Sequence, residues 1–182
     1  STPFEELVWV QVNLQAAYDI EEIDVWHYYG DQRQYHDVIV QLSNDVLFSD
    51  GVITVFNNDS DNSAGMGTGS DSEYFETSAG KVIAVDSVAA QYVRFYSKGN
   101  SVNGYSHYVE IEICGTPINV AFGKPISSSE NFSNSEYITD GERLDTGAYA
   151  DSTPFEELVW VQVNLQAVYD IEEIDVWHYY GD

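Results

Sequence analysis

Residues 1–31 of this 182-residue chain recur as residues 152–182, and the two copies differ only where Ala17 becomes Val168. The offset of 151 residues is the size of a whole domain and not of a solenoid unit. The chain therefore reads as a circularly permuted window on a tandem array of nearly identical domains. Pro117-Ile118-Asn119, after the short loop Gly115-Thr116, is the expected joint between repeats. On that reading residues 1–116 hold most of one repeat without its opening segment, and residues 117–182 hold the N-terminal part of the next. One domain has one slot for a strand sequence that the chain carries twice. The expectation is completion between chains, with residues 152–182 buried in a sandwich shared head-to-tail with a second chain.

The periodicity is two almost everywhere. Val159, Val161, Val163 and Leu165 alternate with Trp160, Gln162 and Asn164, and Ile174 and Val176 alternate with Asp175 and Trp177. Further strands are predicted over Asp37–Leu42, Val52–Phe56, Lys81–Val85, Gln91–Tyr96 and Tyr108–Cys114, each bounded by Gly, Asn, Asp or Ser. No stretch sustains a helical period. Short strands separated by turn signals predict an all-β, antiparallel sandwich. The acidic, glycine-rich stretch from Asn57 to Gly80 reads as a loop, and Cys114, the single cysteine, as a small buried residue of a strand.

Charge removes several partner classes. Six Lys and Arg stand against 31 Asp and Glu, a net charge of -25, so no basic patch is available for a phosphate backbone or an anionic bilayer. No apolar run approaches the roughly 20 residues of a spanning helix. The chain is expected neither to bind nucleic acid nor to enter a membrane. Phosphate loops, metalloprotease motifs and serine elbows do not occur in the sequence, and its abundant carboxylates single out no acid–base pair, so no enzyme activity is expected.

Particular residues resemble a known family. Asn119-Val120-Ala121, Gly123-Lys124-Pro125, Ser127-Ser128-Ser129, Ile138-Thr139-Asp140-Gly141 and Trp160-Val161-Gln162-Val163-Asn164-Leu165 are similar to successive landmarks of the discoidin domain, also called the coagulation factor type C domain. The closing strand Val109-Glu110-Ile111-Glu112-Ile113-Cys114-Gly115 fits the same pattern. His27 through Tyr35, with Val38-Ile39-Val40-Gln41-Leu42, resembles the bacterial galactose-binding-like modules, a carbohydrate-binding branch of that superfamily. The resemblance implies a jelly-roll-like β-sandwich without catalysis, with ligands bound through loops at one end. It also implies a calcium ion joining the early Asp-Gly loop to the last strand. By resemblance its ligands are Asp140, Thr146 and Glu110, with the carbonyls of Tyr137, Glu142 and Val109. Hard oxygen donors of this kind suit calcium.

For a sugar, an aromatic ring stacks on the apolar face of the pyranose while His, Arg and Asn reach its hydroxyls. The richest segment holds His27, Tyr28, Tyr29, Arg33 and Tyr35, and a second candidate holds Asn103, Tyr105 and His107. Alternation with Ile23 and Val25 would instead turn His27 and Tyr29 into the core, and Arg33 can pair with Asp31. Asn57-Asn58-Asp59-Ser60-Asp61-Asn62-Ser63 begins like a calcium loop but has Ala64 where that loop needs glycine. The expected function is a non-catalytic, calcium-stabilised glycan-binding or adhesion module, repeated in an extracellular or cell-surface bacterial protein. Its partners would be a glycan or cell-surface polysaccharide and neighbouring repeats. The alternatives are the repeat unit of an extracellular fibre and the ancillary module of a glycoside hydrolase.

Overall fold

The computed structural model describes residues 7–129, 132–143, 149–152, 158–169, 171 and 173–178. Two compact units divide the chain, Ser1–Ile118 and Asn119–Asp182. The first is organised by β1 (Val8–His27), a single 20-residue strand that spans the first copies of the alternating segments around Val161 and Ile174. After it come β2 (Ile39–Ser43), β3 (Ile53–Asn57), β4 (Lys81–Ser97) and β5 (Tyr108–Pro117). They hydrogen-bond in the order β3-β2-β4-β1-β5, every neighbouring pair antiparallel.

Two layers arise because the long strands bend. Val8–Asn13 of β1 pairs with Tyr92–Ser97 of β4, which β2 and then β3 extend. After register shifts, Glu22–Val25 pairs with Lys81–Ala84 of β4 on one edge, while β5 takes the other. A bulge that inserts one residue flips the side-chain alternation and sharpens the twist, which lets a strand pass from one layer of a sandwich to the other. The sequence accommodates the flip. Along β1 the inward residues are even-numbered up to Ile20 and odd-numbered from Ile23, with Glu21 and Glu22 exposed at the shift. Along β4 the buried Ile83 and Val85 give way to Ala90 and then to Val93 and Phe95, and Ser87 takes a φ of 48° at the break. Side chains of both layers join one core that includes Ile20, Ile23, Val25, Val40, Leu42, Ile83, Val93 and Phe95. The all-β antiparallel sandwich class expected from the alternation is thus the class observed.

On the other face of the same sheet, Gln41 of β2 is buried and stands opposite Arg94 of β4. Arg94 lies 4.0 Å from the centroid of Phe48 and 4.5 Å from that of Trp9, while two of its nitrogens donate to Gln11 Oε1. The predicted loop between β3 and β4 has no strand and is tied down by its own polar groups. Asp59, fully buried, accepts from the amides of Ser63 and Ala64, and a Cβ on Gly69 would collide with the Asn57 carbonyl.

The second unit contains β6 (Ile126–Ser128) paired with β9 (Val161–Val163), β7 (Phe132–Ser133) paired with β8 (Asp151–Ser152), and a short 3-10 helix over Ser135–Thr139. Here the repeated segment behaves differently. Its local kink is preserved: Gln15 and Gln166 both have positive φ, 71° and 64°, and their amides donate to Asn13 and Asn164 two residues back. Its burial is not. Ile23 and Val25 are 0% and 1% exposed, whereas their counterparts Ile174 and Val176 are 79% and 68% exposed. The predicted strand around Ile174 and Val176 does not form among the described residues, and that of Val159–Leu165 shrinks to Val161–Val163. A strand needs partners, and β4 and β5 are already paired with β1. Cys114 also departs from expectation: it lies on the edge strand β5 with an exposed side chain, because the inward positions there fall to Ile111 and Ile113.

Phe95→Ala is expected to cost about 3–5 kcal/mol, since the ring is fully enclosed and the site cannot collapse onto it. Val82→Ala, on the exposed side of the same strand, is expected within about 0.5 kcal/mol of the parent. Urea unfolding of both variants checks the contrast.

Candidate functional site

The loop after β1 and the loop before β5 are laced together. Tyr28 N donates to His107 O, His36 N to Gly99 O, Lys98 N to His36 O and Ser101 N to Gln34 O. Tyr35 forms an isolated antiparallel bridge with Asn100, and Gln34 N donates to Ser101 Oγ. Asn100 shapes the second loop from within. Its Oδ1 accepts from the amides of Val102 and Asn103, and its Nδ2 donates to Tyr105 O and Asn103 Oδ1. Residues more than 60 positions apart in sequence therefore share one rim.

The eight sequence-derived ligand candidates all lie in this region, at different depths. His27 and Tyr35 are buried, which corrects their assignment as direct contacts. His27 ends the inward alternation of Ile23 and Val25, stacks on Tyr35 at 4.4 Å between centroids, and bonds through Nδ1 to Glu76 Oε1 at 2.8 Å. Tyr35 Oη in turn meets His107 Nδ1 at 3.1 Å. Arg33 is buried as well. It forms a two-pronged pair with Asp31, at 2.7 and 2.6 Å, and lies 4.7 Å from the Tyr28 centroid. That pair holds the Asp31 carboxyl below the usual carboxylate range, so it stays ionised. Tyr28, Tyr29 and Tyr105 are exposed, and Tyr105 and Tyr28 flank His107 at 5.9 and 6.3 Å. Asn103 Oδ1 accepts from Tyr105 N. Tyr29, expected inside by one reading of the alternation, is outside because β1 ends at His27.

Asn103 also edges a cleft of about 450 Å³ lined by His36, Asp37, Asp61, Glu73, Lys98 and Asn100, among others. Asp37, Glu73 and Lys98 were not singled out in the sequence. Nothing in their spacing marks them, because they meet only where the loop after β3 folds against the other two. His36 Nδ1 lies 2.9 Å from Glu73 Oε1, and the Lys98 ammonium lies 3.8 Å from Asp37 Oδ2. The hydroxyl and amide of Ser63 hold Asp61 below its ordinary pKa.

Carboxylate oxygens of Asp37, Asp59 and Asp61 lie within 4.8 Å of one another, so this triad could hold a metal ion. The oxygens are partly satisfied already, by the amides of Ser63 and Ala64, the Ser63 hydroxyl and Lys98. The calcium ligands implied by resemblance are distributed differently. Val109 and Glu110 lie on β5 in the first unit, and Glu110 Oε1 accepts from Ile111 N. Tyr137, Asp140 and Glu142 lie in the second unit, where Asp140 Oδ1 accepts from Glu142 N. Thr146 lies outside the described residues.

No protein-family model matches the sequence, and no curated protein matches it. Among solved structures the chain is similar to the family 89 glycoside hydrolase of Clostridium perfringens, at 17% identity and a TM-score of 0.46, over 64% of this chain and 12% of that one. It is similar to the CBM32 of AlyQ in complex with 4,5-unsaturated mannuronic acid, at 21% identity and a TM-score of 0.45, over 61% of this chain and 73% of that one. A pectin binding carbohydrate binding module gives 21% identity and a TM-score of 0.46, over 62% of this chain and 70% of that one. The match thus spans only about an eighth of that hydrolase's length. Among the described residues no helix is long and apolar enough to cross a membrane.

Beneath the rim, burial pushes the Tyr108 phenol up to about 12 and raises that of Tyr74 further above its ordinary value. A raised phenol contributes stability that is present below the ordinary tyrosine value of about 10 and lost as pH climbs through the folded one. Alkaline titration followed by phenolate absorbance checks this. Tyr74 and Tyr108 are expected to ionise only together with loss of the near-ultraviolet circular dichroism signal.

Proposed function

We propose that the first unit is a non-catalytic glycan-binding module whose ligand lies on the rim formed by the loops after β1 and before β5. The observation that carries this reading is the lacing of those loops, which brings exposed Tyr28 and Tyr105 to His107, with Asn103 bonded to Tyr105 and His27, Tyr35 and Arg33 buried in the same region. An exposed ring offers an apolar platform for one face of a pyranose, and the neighbouring Asn and His offer donors and acceptors for its hydroxyls. The buried base limits the freedom lost on binding. Asp37, Asp61 and Glu73 outnumber Lys98 in the adjoining cleft, which favours a neutral polysaccharide over a polyuronate. The same carboxylates support the absence of catalysis. Glycoside hydrolysis needs an acid kept protonated near neutral pH, whereas Asp61 is held ionised and Glu73 bonds to His36.

Calcium is part of this reading, with Asp37, Asp59 and Asp61 as donors and stabilisation of the loop after β3 as the effect. An extracellular or cell-surface location suits both a polysaccharide ligand and a calcium-replete medium. The repeated segment favours an adhesive array over the ancillary module of a hydrolase.

Titration calorimetry with neutral oligosaccharides should detect binding that Tyr105→Ala weakens about tenfold, as expected for losing ~1–1.5 kcal/mol of ring contact. Equal affinity of the variant, or failure of every neutral saccharide to bind, removes the rim from the account. Calcium at a hundredfold excess over its dissociation constant should stabilise the fold by about 2.7 kcal/mol. A melting temperature unchanged between calcium and chelator would exclude the ion.

A further inference from the structure

We propose that residues 159–178 are a recognition strand for a second copy of this chain, entering the slot between β4 and β5 that residues 8–27 of that copy otherwise fill. The occupant is identified by the chain itself. The described positions of 159–178 repeat those of β1 without change except Val168 for Ala17, and the structure shows what covers that sequence when it is buried. Ile23 stands opposite Ile83 of β4 and Ile113 of β5, and Val25 opposite Lys81 and Ile111. Ile174 and Val176 present the same surface in the second unit, where they are exposed together with Ile171 and Trp177. Among the described residues this segment is paired only through β9, with β6.

Exchange loses little within the slot, because nearly identical side chains enter it. It also brings a strand along. In the first unit Val10–Val12 of β1 pairs with Val93–Phe95 of β4 and has no second neighbour among the described residues. The equivalent Val161–Val163 carries Ile126–Ser128 on one of its edges. A strand has two edges, so the incoming segment offers the free one to β4 and extends the sheet of the second copy by β6. A pairing of this kind joins one surface of each chain to a different surface of the next, and such heterologous contacts propagate into rings or filaments.

Register supplies the test. Glu22 stands opposite Cys114, the chain's single cysteine, which is free and exposed. Glu173 is the counterpart of Glu22 in the repeat. Directly opposite residues of antiparallel strands lie about 4.5–5.5 Å apart at Cα, within the span of a disulfide. In the full chain, Glu173→Cys under mild oxidation should therefore give disulfide-linked dimers and higher species on a non-reducing gel. Asp175→Cys, whose register partner would be Glu112, should give far fewer. A monomeric product from Glu173→Cys would mean that the slot is filled within one chain, and absence of any disulfide would mean that it is not filled by this segment; either overturns the proposal. Light scattering provides a second arm. The parent chain and Ile23→Asp should associate with rising concentration, Ile23→Asp remaining folded because the repeat replaces its damaged strand, and Ile174→Asp should stay monomeric. An Ile23→Asp chain that is unfolded, or folded and monomeric at every concentration, contradicts the proposal.

Discussion

The first unit depends on a single strand having neighbours on both edges. β1 hydrogen-bonds to β4 along much of its length and to β5 along its second half, and β4 in turn carries β2 and β3. Without β1 the two layers would share no strand but β4, and Ile20, Ile23 and Val25 would leave the centre of the core. The repeat demonstrates this dependence within one molecule. The same sequence, given β6 in place of β4 and β5, pairs over three of its described residues and leaves Ile171, Ile174 and Val176 exposed. Apolar burial of a strand is a property of the slot it enters, since neither its hydrogen-bonding edges nor its inward face can be satisfied alone.

The polar rim rests on the same frame. β1 terminates at His27, whose ring is held by Tyr35 and Glu76 from two other segments, so the chain leaves the sheet at a defined point and turns Tyr28 and Tyr29 outward. Backbone bonds to Gly99, Ser101 and His107 then fix the first loop against the second. The layering separates duties: buried His27, Arg33 and Tyr35 set the shape, while exposed Tyr28, Tyr29 and Tyr105 offer the surface. With 31 acidic residues in the chain, the basic side chains of this unit are spent on internal contacts, as in Arg33 with Asp31 and Arg94 with Trp9 and Phe48.

Legibility in the sequence followed the range of the interactions. Alternation of period two is local, and β2, β3 and the core of β5 lie within two residues of their predicted starts. That Val8–Leu14 and Ile20–Trp26 form one bent strand was not legible, because the register shifts respond to the paired irregularity in β4. The candidate rim residues were found from their types, yet which of them are accessible was not. His27 and Tyr29 differ by two positions and would share a face in a continuing strand, and only the end of β1 separates them. The cleft residues Asp37, Glu73 and Lys98 carried no signal, since they belong to three segments that meet only in space.

The duplicated segment divides what each level decides. The kink at Gln15 and Gln166 appears in both copies, because an Asn side chain accepting an amide two residues later is a contact of neighbours and needs no fold around it. The sequence by itself therefore determined the all-β class, the turns and the positions able to face a core. Tertiary structure decided which copy has a core to face. Ile23 and Ile174 sit in nearly the same local sequence, and they differ because burial is the removal of surface by distant chain, in this case the two strands β4 and β5 that only one copy obtains.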